Sequence, residues 1–370
     1  MTEHDLRLIA SQFCLDGCLI DAGPLGSGHI NDTYGLACRT EHGMRRYVLQ
    51  RINHHVFTDP PAMMDNIRRV TEHIRSKLDT EDKDLASRQL TVLDTHDGAG
   101  YFNDSQGNYW RVYNRVENAV TYDTLESLAL AEETSRMFGW FQQMLTDLPG
   151  APLHETIVDF HTTPKRLKAF MDVLTRDPHN RAAQCSEEIE FVHQHAEICP
   201  GLLNHLDKSE IPLRTTHNDT KVNNIMIDER THTGVCVIDL DTVMPGLSLY
   251  DFGDMVRTAT CSAEEDQRDL SKVSMRIDMF EALVKGFARS THNFLTPAEK
   301  KLLAFSGKLI TFEQMIRFLA DHLAGDVYYK IHRPDHNLDR ARTQMKLVQS
   351  ITAQEERMNA LVDSVFEQLA

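Results

Sequence analysis

His217, Asp219 and Asn224 stand in the order H-x-D-x-x-x-x-N, and beyond them the apolar run Val235-Cys236-Val237-Ile238 ends in Asp239. Phosphoryl transfer to an alcohol needs this set: one carboxylate at the acceptor hydroxyl, and an amide oxygen plus a second carboxylate on Mg²⁺. Asp219 is the candidate base, a role typically worth ~10²–10⁴-fold in rate. Taken alone, Asn218-Asp219 before Thr220 is also good turn chemistry. The motif gains weight from Asn224, five residues on, and from Asp239 at a strand end, because Mg²⁺ accepts few protein oxygens and fills the rest of its shell with water and nucleotide phosphate. Asp241, Asp251 and Asp254 thicken the acidic cluster, and like charges this close call for a cation or hydrogen-bond donors. Asp241 can serve as a second metal contact or as a hydrogen-bonded support, and Asp251 reads as a brace at a helix start. His217 reads as an anchor of the loop, and Lys221 either steadies a phosphate or is solvated.

These residues need elements to hold them. The first third reads as strands and turns around one helix. Gly26-Ser27-Gly28 is a turn whose amides can approach phosphate oxygens, although neither full glycine-rich nucleotide signature is present. Arg46–Ile52 alternates as a half-buried strand, and Pro60-Pro61 opens a helix over residues 62–78 with Met63, Ile67, Val70 and Ile74 on its apolar face. A hairpin is expected around residues 103–108, and Val116 follows it at a hinge whose backbone can meet an adenine edge. Beyond it the periodicity predicts helices over 125–146, 164–175, 186–198, 275–289, 297–323 and 342–369, with short strands over 213–216, 224–227 and 235–240. The expected boundary near residues 117–122 divides a nucleotide-binding lobe, 1–118, from a catalytic and sugar-binding lobe, 119–370.

Composition narrows the partners. A chain of 370 residues with 41% apolar content exceeds the usual size of a single core, so two lobes are expected. The net charge of −16 argues against a nucleic-acid partner, which needs clustered Lys and Arg. The absence of a membrane-length apolar run, an early-charged N-terminus without a leader pattern, and seven scattered cysteines fit a cytoplasmic protein with reduced thiols. Cys14 and Cys18, four apart on an expected helix, lack the second pair that zinc requires. In His332-Arg333-Pro334-Asp335-His336, Pro334 breaks the helix that a metalloprotease motif demands.

The motifs taken in order carry a resemblance. Gly28-His29-Ile30-Asn31, Trp110-Arg111-Val112-Tyr113, Thr216–Asn224, Ile238–Thr242 with Met244-Pro245-Gly246, Asp251–Asp254, Arg317–Asp321, Gly325-Asp326 and His336-Asn337-Leu338 run through nearly the whole chain. They resemble the aminoglycoside-phosphotransferase-like branch of the protein-kinase-like fold, alongside choline and homoserine kinases, and more narrowly the N-acetylhexosamine 1-kinases. The resemblance implies an α+β, bilobal fold with a small β-rich N-lobe and a large helical C-lobe. It also implies ATP- and Mg²⁺-dependent phosphorylation of the anomeric hydroxyl of N-acetylglucosamine or N-acetylgalactosamine. In that picture Asp219 is the base, Asn224 and Asp239 (with Asp241) meet the metal, and Gly26, Ser27, Gly28, Gln50 and Val116 line the nucleotide. His29, Asp219, Arg317, Asp321 and Tyr328 fall to the sugar. Most kinase-like enzymes carry a strand lysine for the phosphates where this chain has Gln50; the N-acetylhexosamine 1-kinases look similar there.

Three other readings remain open. A kinase for another alcohol, such as an amino sugar, choline or an aminoglycoside, would use the same centre, but a cationic acceptor wants a larger acidic or aromatic cage, and with only two tryptophans no aromatic cage is visible. A pseudokinase would bind nucleotide without turnover, and a metal-dependent hydrolase leaves the His-x-Asp loop and its Asn poorly explained. No membrane partner is expected, and the assembly expected is a monomer or small homo-oligomer.

Overall fold

The computed structural model describes residues 5–26, 30–125 and 127–369. Helix α1 (Leu6–Ala10) is capped by Asp5, whose carboxylate accepts the amides of Arg7 and Leu8. Strands β1 (Cys18–Pro24), β2 (Asp32–Thr40) and β3 (Gly43–Ile52) follow, then helices α2 (Pro60–Glu81) and α3 (Lys83–Ser87), and strands β4 (Phe102–Asn103) and β5 (Tyr109–Asn114). The five strands form one antiparallel sheet in the order β1-β2-β3-β5-β4. Its pleat sets up the chemistry described below. Leu49 of β3 lies opposite Val112 of β5, and both join the core of Phe13, Leu36, Cys38, Tyr47 and Trp110 on one face. Side chains alternate along a strand, so the neighbouring pair, Gln50 opposite Arg111, is turned to the other face. The long helix α2 starts where Asp59 accepts the amide of Ala62 and Pro60 supplies a preset φ, and Met63, Ile67, Val70 and Ile74 are all buried.

The chain continues through β6 (Ala119–Val120), helices α4 (Leu128–Met144), α5 (Thr163–Arg176), α6 (Ser186–His195) and α7 (Gly201–Asp207), and strands β7 (Arg214–Thr216), β8 (Ile225–Asp228) and β9 (Gly234–Val237). Helices α8 (Ser248–Thr260), α9 (Ile277–Thr291), α10 (Pro297–Lys301), α11 (Leu303–Leu323) and α12 (His336–Glu367) complete it. No helix among the described residues is long and apolar enough to cross a membrane.

Two compact units divide the chain without following its order. The first comprises Met1–Thr121, Met144–Val158 and Ile225–Pro245; the second comprises Tyr122–Gln143, Asp159–Asn224 and Gly246–Ala370. The first unit holds the five-stranded sheet and a smaller one in the order β6-β8-β9. In the second, α11 is the central helix, packed on α5, α8 and α12, with Phe312, Met315, Ile316 and Leu319 buried among Phe170, Phe191 and Val348.

Several sequence expectations are corrected here. The strand expected over 235–240 stops at Val237, because Asp239 takes a left-handed φ of +60° and leads into a 3₁₀ turn over Leu240–Thr242. The helix expected over 297–323 is two helices, the first started by a capping box in which Thr296 and Glu299 bond each other's amides. The last helix begins at His336, ahead of the expected 342. Cys14 and Cys18 share no helix, since α1 ends at Ala10 and Cys18 opens β1.

Helix α8 packs on α11 at Gly253, where an added Cβ would fall 2.5 Å from the backbone oxygen of Ser306. Gly253→Ala therefore forces the two helices apart. The expected cost is about 1–3 kcal/mol, typical of overpacking, and a urea melt of the variant against wild type measures it as a lower midpoint with unchanged slope.

Candidate active site

The second unit carries the loop from His217 to Asn224, which leaves β7 and is clamped by α8. Asp251, in the first turn of α8 and fully buried, accepts the backbone amides of His217 at 3.0 Å and Asn218 at 2.7 Å, and the side-chain amide of Gln142 at 2.6 Å. Burial pushes the Asp251 carboxyl up, and these donors offset only part of that push. One turn later Asp254 accepts the amide of Thr220 at 3.0 Å and is held by Arg257 Nε at 2.9 Å. The Thr220 hydroxyl donates to the Asp251 carbonyl at 2.7 Å. His217, fully buried, stands edge-on to Phe138 and Phe141 with centroids 5.4 and 5.8 Å away. Gly246 presses on the same loop: a Cβ there would fall 2.2 Å from Thr216 Oγ1 and 2.8 Å from Asn218 Oδ1.

This clamping leaves Asp219 presented on a rigid support. Its side chain is 22% exposed, and Lys221 Nζ lies 2.8 Å from one carboxylate oxygen and 3.1 Å from the other. Burial raises the Asp219 carboxyl, but the Lys221 ammonium outweighs it and holds the group below the ordinary aspartate range. The same pairing holds the Lys221 ammonium well above the ordinary lysine range. Asn224 donates its Nδ2 to the Asp219 carbonyl at 2.9 Å, which orients the amide so that its oxygen is the atom turned to other partners.

His161 links this loop to α11. Its Nε2 lies 3.2 Å from the Asn218 carbonyl and its Nδ1 2.9 Å from the carboxylate of Glu313, which also accepts the Thr163 hydroxyl at 2.6 Å. Burial raises Glu313, yet His161 and Arg317 hold it below the ordinary glutamate range. One turn along α11, the Arg317 guanidinium lies over the rings of Phe160 and Tyr329, 5.3 and 5.9 Å from their centroids, and donates to Gln314 at 3.2 Å. Asp321 faces inward: its oxygens accept the amides of Val327, Tyr328 and Tyr329 at 3.0, 2.8 and 3.0 Å and the Asn337 side chain at 2.9 Å. It shapes the turn that presents Tyr328, whose side chain is exposed.

The first unit carries the remaining candidates. Gln50 Oε1 accepts Arg111 Nε at 3.0 Å, and Gln50 Nε2 donates to Thr33 at 3.1 Å. Arg111, 1% exposed, forms a buried ion pair with Asp241 at 2.5 Å, and the other Asp241 oxygen accepts the Asn31 side chain at 2.7 Å. Asp241 raises the Arg111 guanidinium further above its ordinary range against the opposing effect of burial. Both Asp241 oxygens are thus engaged by side chains of the same unit. Asp239 sits at the end of β9 in its left-handed conformation, a strain that clusters at functional sites. Gly26 has φ +69° with open space around it, and Val116 follows β5 with its side chain buried. Ser27, Gly28 and His29 lie outside the described residues. Sequence reasoning missed Arg111 as the partner of Asp241 and Gln50 in the first unit, and His161 and Glu313 as supports of the loop in the second; the one available signal was an arginine inside the otherwise apolar and aromatic run Trp110–Tyr113.

The donor chemistry suits a hard cation with few protein ligands. Among the described residues no group of three or more His, Cys, Asp or Glu is placed to hold a metal, and Asn224 and Asp239, each in its own unit, carry oxygens of the hard kind that Mg²⁺ prefers.

The architecture is the protein-kinase-like fold of small-molecule kinases. It is similar to a spectinomycin phosphotransferase in complex with ADP and spectinomycin, at 11% identity over 96% of this chain and 100% of that one, with a TM-score of 0.60. It is also similar to an aminoglycoside phosphotransferase from Alicyclobacillus acidocaldarius (13% identity, 100% and 97% covered, TM-score 0.57) and to a choline kinase from Cryptosporidium parvum (14% identity, 94% and 93% covered, TM-score 0.51). Residues 21–278 match the phosphotransferase enzyme family known as APH, and the chain belongs to that family.

The buried Arg111–Asp241 pair makes a direct stability test. Breaking a buried pair from one side leaves an uncompensated charge, and Arg111→Met is expected to cost about 3–5 kcal/mol, whereas Arg111→Met with Asp241→Leu recovers most of it. Urea denaturation of the two variants and wild type checks both halves.

Proposed function

We propose that this protein is an ATP- and Mg²⁺-dependent kinase that phosphorylates the anomeric hydroxyl of N-acetylhexosamines, N-acetylglucosamine or N-acetylgalactosamine, giving the sugar 1-phosphate. The observation that carries the kinase reading is Asp219: an ionised carboxylate on a loop whose amides are fixed by Asp251 and Asp254. The sugar acceptor rests on the ordered motifs that resemble the N-acetylhexosamine 1-kinases, together with Arg317 and Tyr328 near the end of α11.

Asp219 orients the anomeric hydroxyl toward the γ-phosphorus of ATP. As the new O–P bond forms and the bond to ADP breaks, the hydroxyl proton passes to the Asp219 carboxylate. A carboxylate held below its ordinary range is a weak base, which suits a loose transition state in which the proton leaves late. An anomeric hydroxyl is more acidic than an ordinary alcohol, so positioning contributes more than basicity. When bound, Mg²⁺ would neutralise charge on the transferring phosphates, and Asn224 and Asp239 are the residues assigned to hold it. With both oxygens engaged, Asp241 is assigned a bracing role. The N-terminal segment with Gly26, Gln50 and Val116 is assigned to the nucleotide. Arg317 and Tyr328 are assigned to the sugar, with Asp321 shaping their turn.

Product analysis by ³¹P NMR tests the assignment. Incubation with Mg²⁺-ATP and either sugar is expected to give an anomeric phosphate signal as ADP forms, and Asp219→Asn is expected to lose at least ~10²-fold in turnover with the fold intact. Phosphate on another hydroxyl, or transfer only to a different alcohol, would keep the kinase and reject the acceptor. Lys221→Met offers a separate check through pH. Burial raises the Asp219 carboxyl and the Lys221 ammonium is the largest effect opposing it, so its removal leaves only the smaller ones of His217 and Arg257 and raises that group. The acid limb of the kcat–pH profile is then expected to move to higher pH, and an unmoved limb would detach Lys221 from the ionisation of the base.

A further inference from the structure

Two motifs of the sequence, Gly325-Asp326 and His336-Asn337-Leu338, have no part in the reaction above. The structure brings them together in the second unit. Asn337 lies in the first turn of α12 and is fully buried. Its Nδ2 donates to Asp321 Oδ2 and to Asp326 Oδ1, both at 2.9 Å, and its Oδ1 accepts Arg340 Nη1 at 3.1 Å. Both amide hydrogens are therefore committed to carboxylates.

This one side chain spans the turn that follows α11. Asp326 sits in the turn with a left-handed φ of +60°, directly after Gly325 at +98°, and such a backbone path persists only where its surroundings fix it. Two side chains fix it here. Arg181 donates to Asp326 Oδ2 at 2.6 Å and to the His322 carbonyl at 2.7 Å, and Asn337 holds Oδ1. Asp321 has no such cation: among the described residues no basic side chain pairs with it, and the Asn337 amide is its one side-chain donor. Buried carboxylates this close repel unless a donor stands between them.

The turn carries the residues assigned to the acceptor. Tyr328 is exposed on it. Tyr329, next along, packs on Phe318 with centroids 4.7 Å apart, accepts the Gln314 amide at 3.0 Å through its hydroxyl, and offers its ring to the Arg317 guanidinium. The backbone amide of Tyr329 and the side-chain amide of Asn337 share one oxygen, Asp321 Oδ2. A shift of that carboxylate therefore moves Tyr328 together with the ring on which Arg317 rests.

We propose that Asn337 is a positioning residue for the acceptor, with Arg181 as its counterpart on Asp326: without touching substrate, the two fix the turn that presents Tyr328 and seats Arg317 on Tyr329. The inference rests on the assignment of Arg317 and Tyr328 to the acceptor. The hydrogen bonds of Asn337 stay within α11, α12 and the turn between them, so its loss acts on acceptor affinity and leaves nucleotide affinity and the loop that carries Asp219 alone.

Steady-state kinetics of Asn337→Leu, which keeps the size of the side chain and removes both donors, tests it with whichever alcohol wild type phosphorylates. The acceptor KM is expected to rise about fivefold or more, the scale of a lost hydrogen bond to a charged group, with kcat and the ATP KM within about twofold of wild type. Trypsin is expected to cut faster after Lys330, which is exposed just beyond the turn. Tyr328→Ala and Arg317→Ala are the controls on the assignment. A raised acceptor KM in either control with an unmoved one in Asn337→Leu would overturn the inference and leave the assignment standing. An unmoved acceptor KM in both controls, or no turnover of any alcohol by wild type, would overturn the assignment and the inference with it. An ATP KM raised as much as the acceptor KM would make Asn337 a general support and overturn the positioning role. If circular dichroism shows Asn337→Leu unfolded, Arg181→Met carries the test, because its side chain is 31% exposed and its removal is milder. The same selective rise is expected there, and an unmoved acceptor KM would overturn the role of the turn.

Discussion

The constraint on which the loop from His217 to Asn224 depends is the need to bury its backbone without leaving polar groups unmatched. A loop that must present Asp219 rigidly has no ladder of its own, and each buried amide left unpaired costs about 1–3 kcal/mol. Three such amides would consume much of the roughly 5–15 kcal/mol by which domains are stable. Helix α8 answers with two carboxylates one turn apart, Asp251 on His217 and Asn218 and Asp254 on Thr220. The opposite polarity of the same segment is met by His161, on the Asn218 carbonyl, with Glu313 behind it. Peptide groups on both sides of Asn218 are therefore fixed from α8 and, through His161, from α11. Gly253, where α8 and α11 come within backbone contact, serves the same end, since both helices must converge on one loop.

The first unit solves a different problem with the same economy. A kinase-like sheet that lacks the usual strand lysine still contains a buried cation, carried one strand over on Arg111, opposite Gln50. Its charge is matched by Asp241, so what Gln50 contributes is an amide held in a defined orientation. Asp241 is two residues from Asp239, and fixing it to Arg111 and Asn31 fixes the turn in which Asp239 takes its left-handed conformation. Strain at Asp239 is thus held by an ion pair whose members come from distant parts of the sequence, an arrangement with registry value even where it adds little net stability.

Much of this was legible in the residues and much was not, for physical reasons. The H-x-D-x-x-x-x-N spacing and the start of α2 at two prolines are local, and local rules read them, although they passed over the Asp59 cap. The brace at Asp251 was legible too, because a carboxylate in the first turn of a helix has few better partners than nearby amides. The end of β9 was misread because Ile238 and Leu240 continue the apolar pattern while the backbone turns at Asp239, and periodicity carries no information about φ. Strand β1 was missed because its exposed and half-buried residues do not alternate. Arg111 and Glu313 were missed because their partners, Asp241 and His161, lie far away in the chain. Nor does spacing reveal that Asp321 faces the amides of its own turn.

The regions proposed for catalysis and for the acceptor are also tied down to different degrees, and that bears on how one family could serve different alcohols. Asp251, Asp254 and Asn224 each bond backbone of the loop, so replacing any of them disturbs the loop itself, whereas Asp219 is paired only with Lys221. Arg317 is held by one side-chain amide and two ring faces, and Tyr328 is exposed at the tip of a turn that Asp321 closes from beneath. Side chains with so few partners can change without unmaking that loop. If acceptor choice lies at such side chains, as proposed for Arg317 and Tyr328, it can vary without change to the loop that α8 clamps, and fold and family then define the reaction class but not the alcohol.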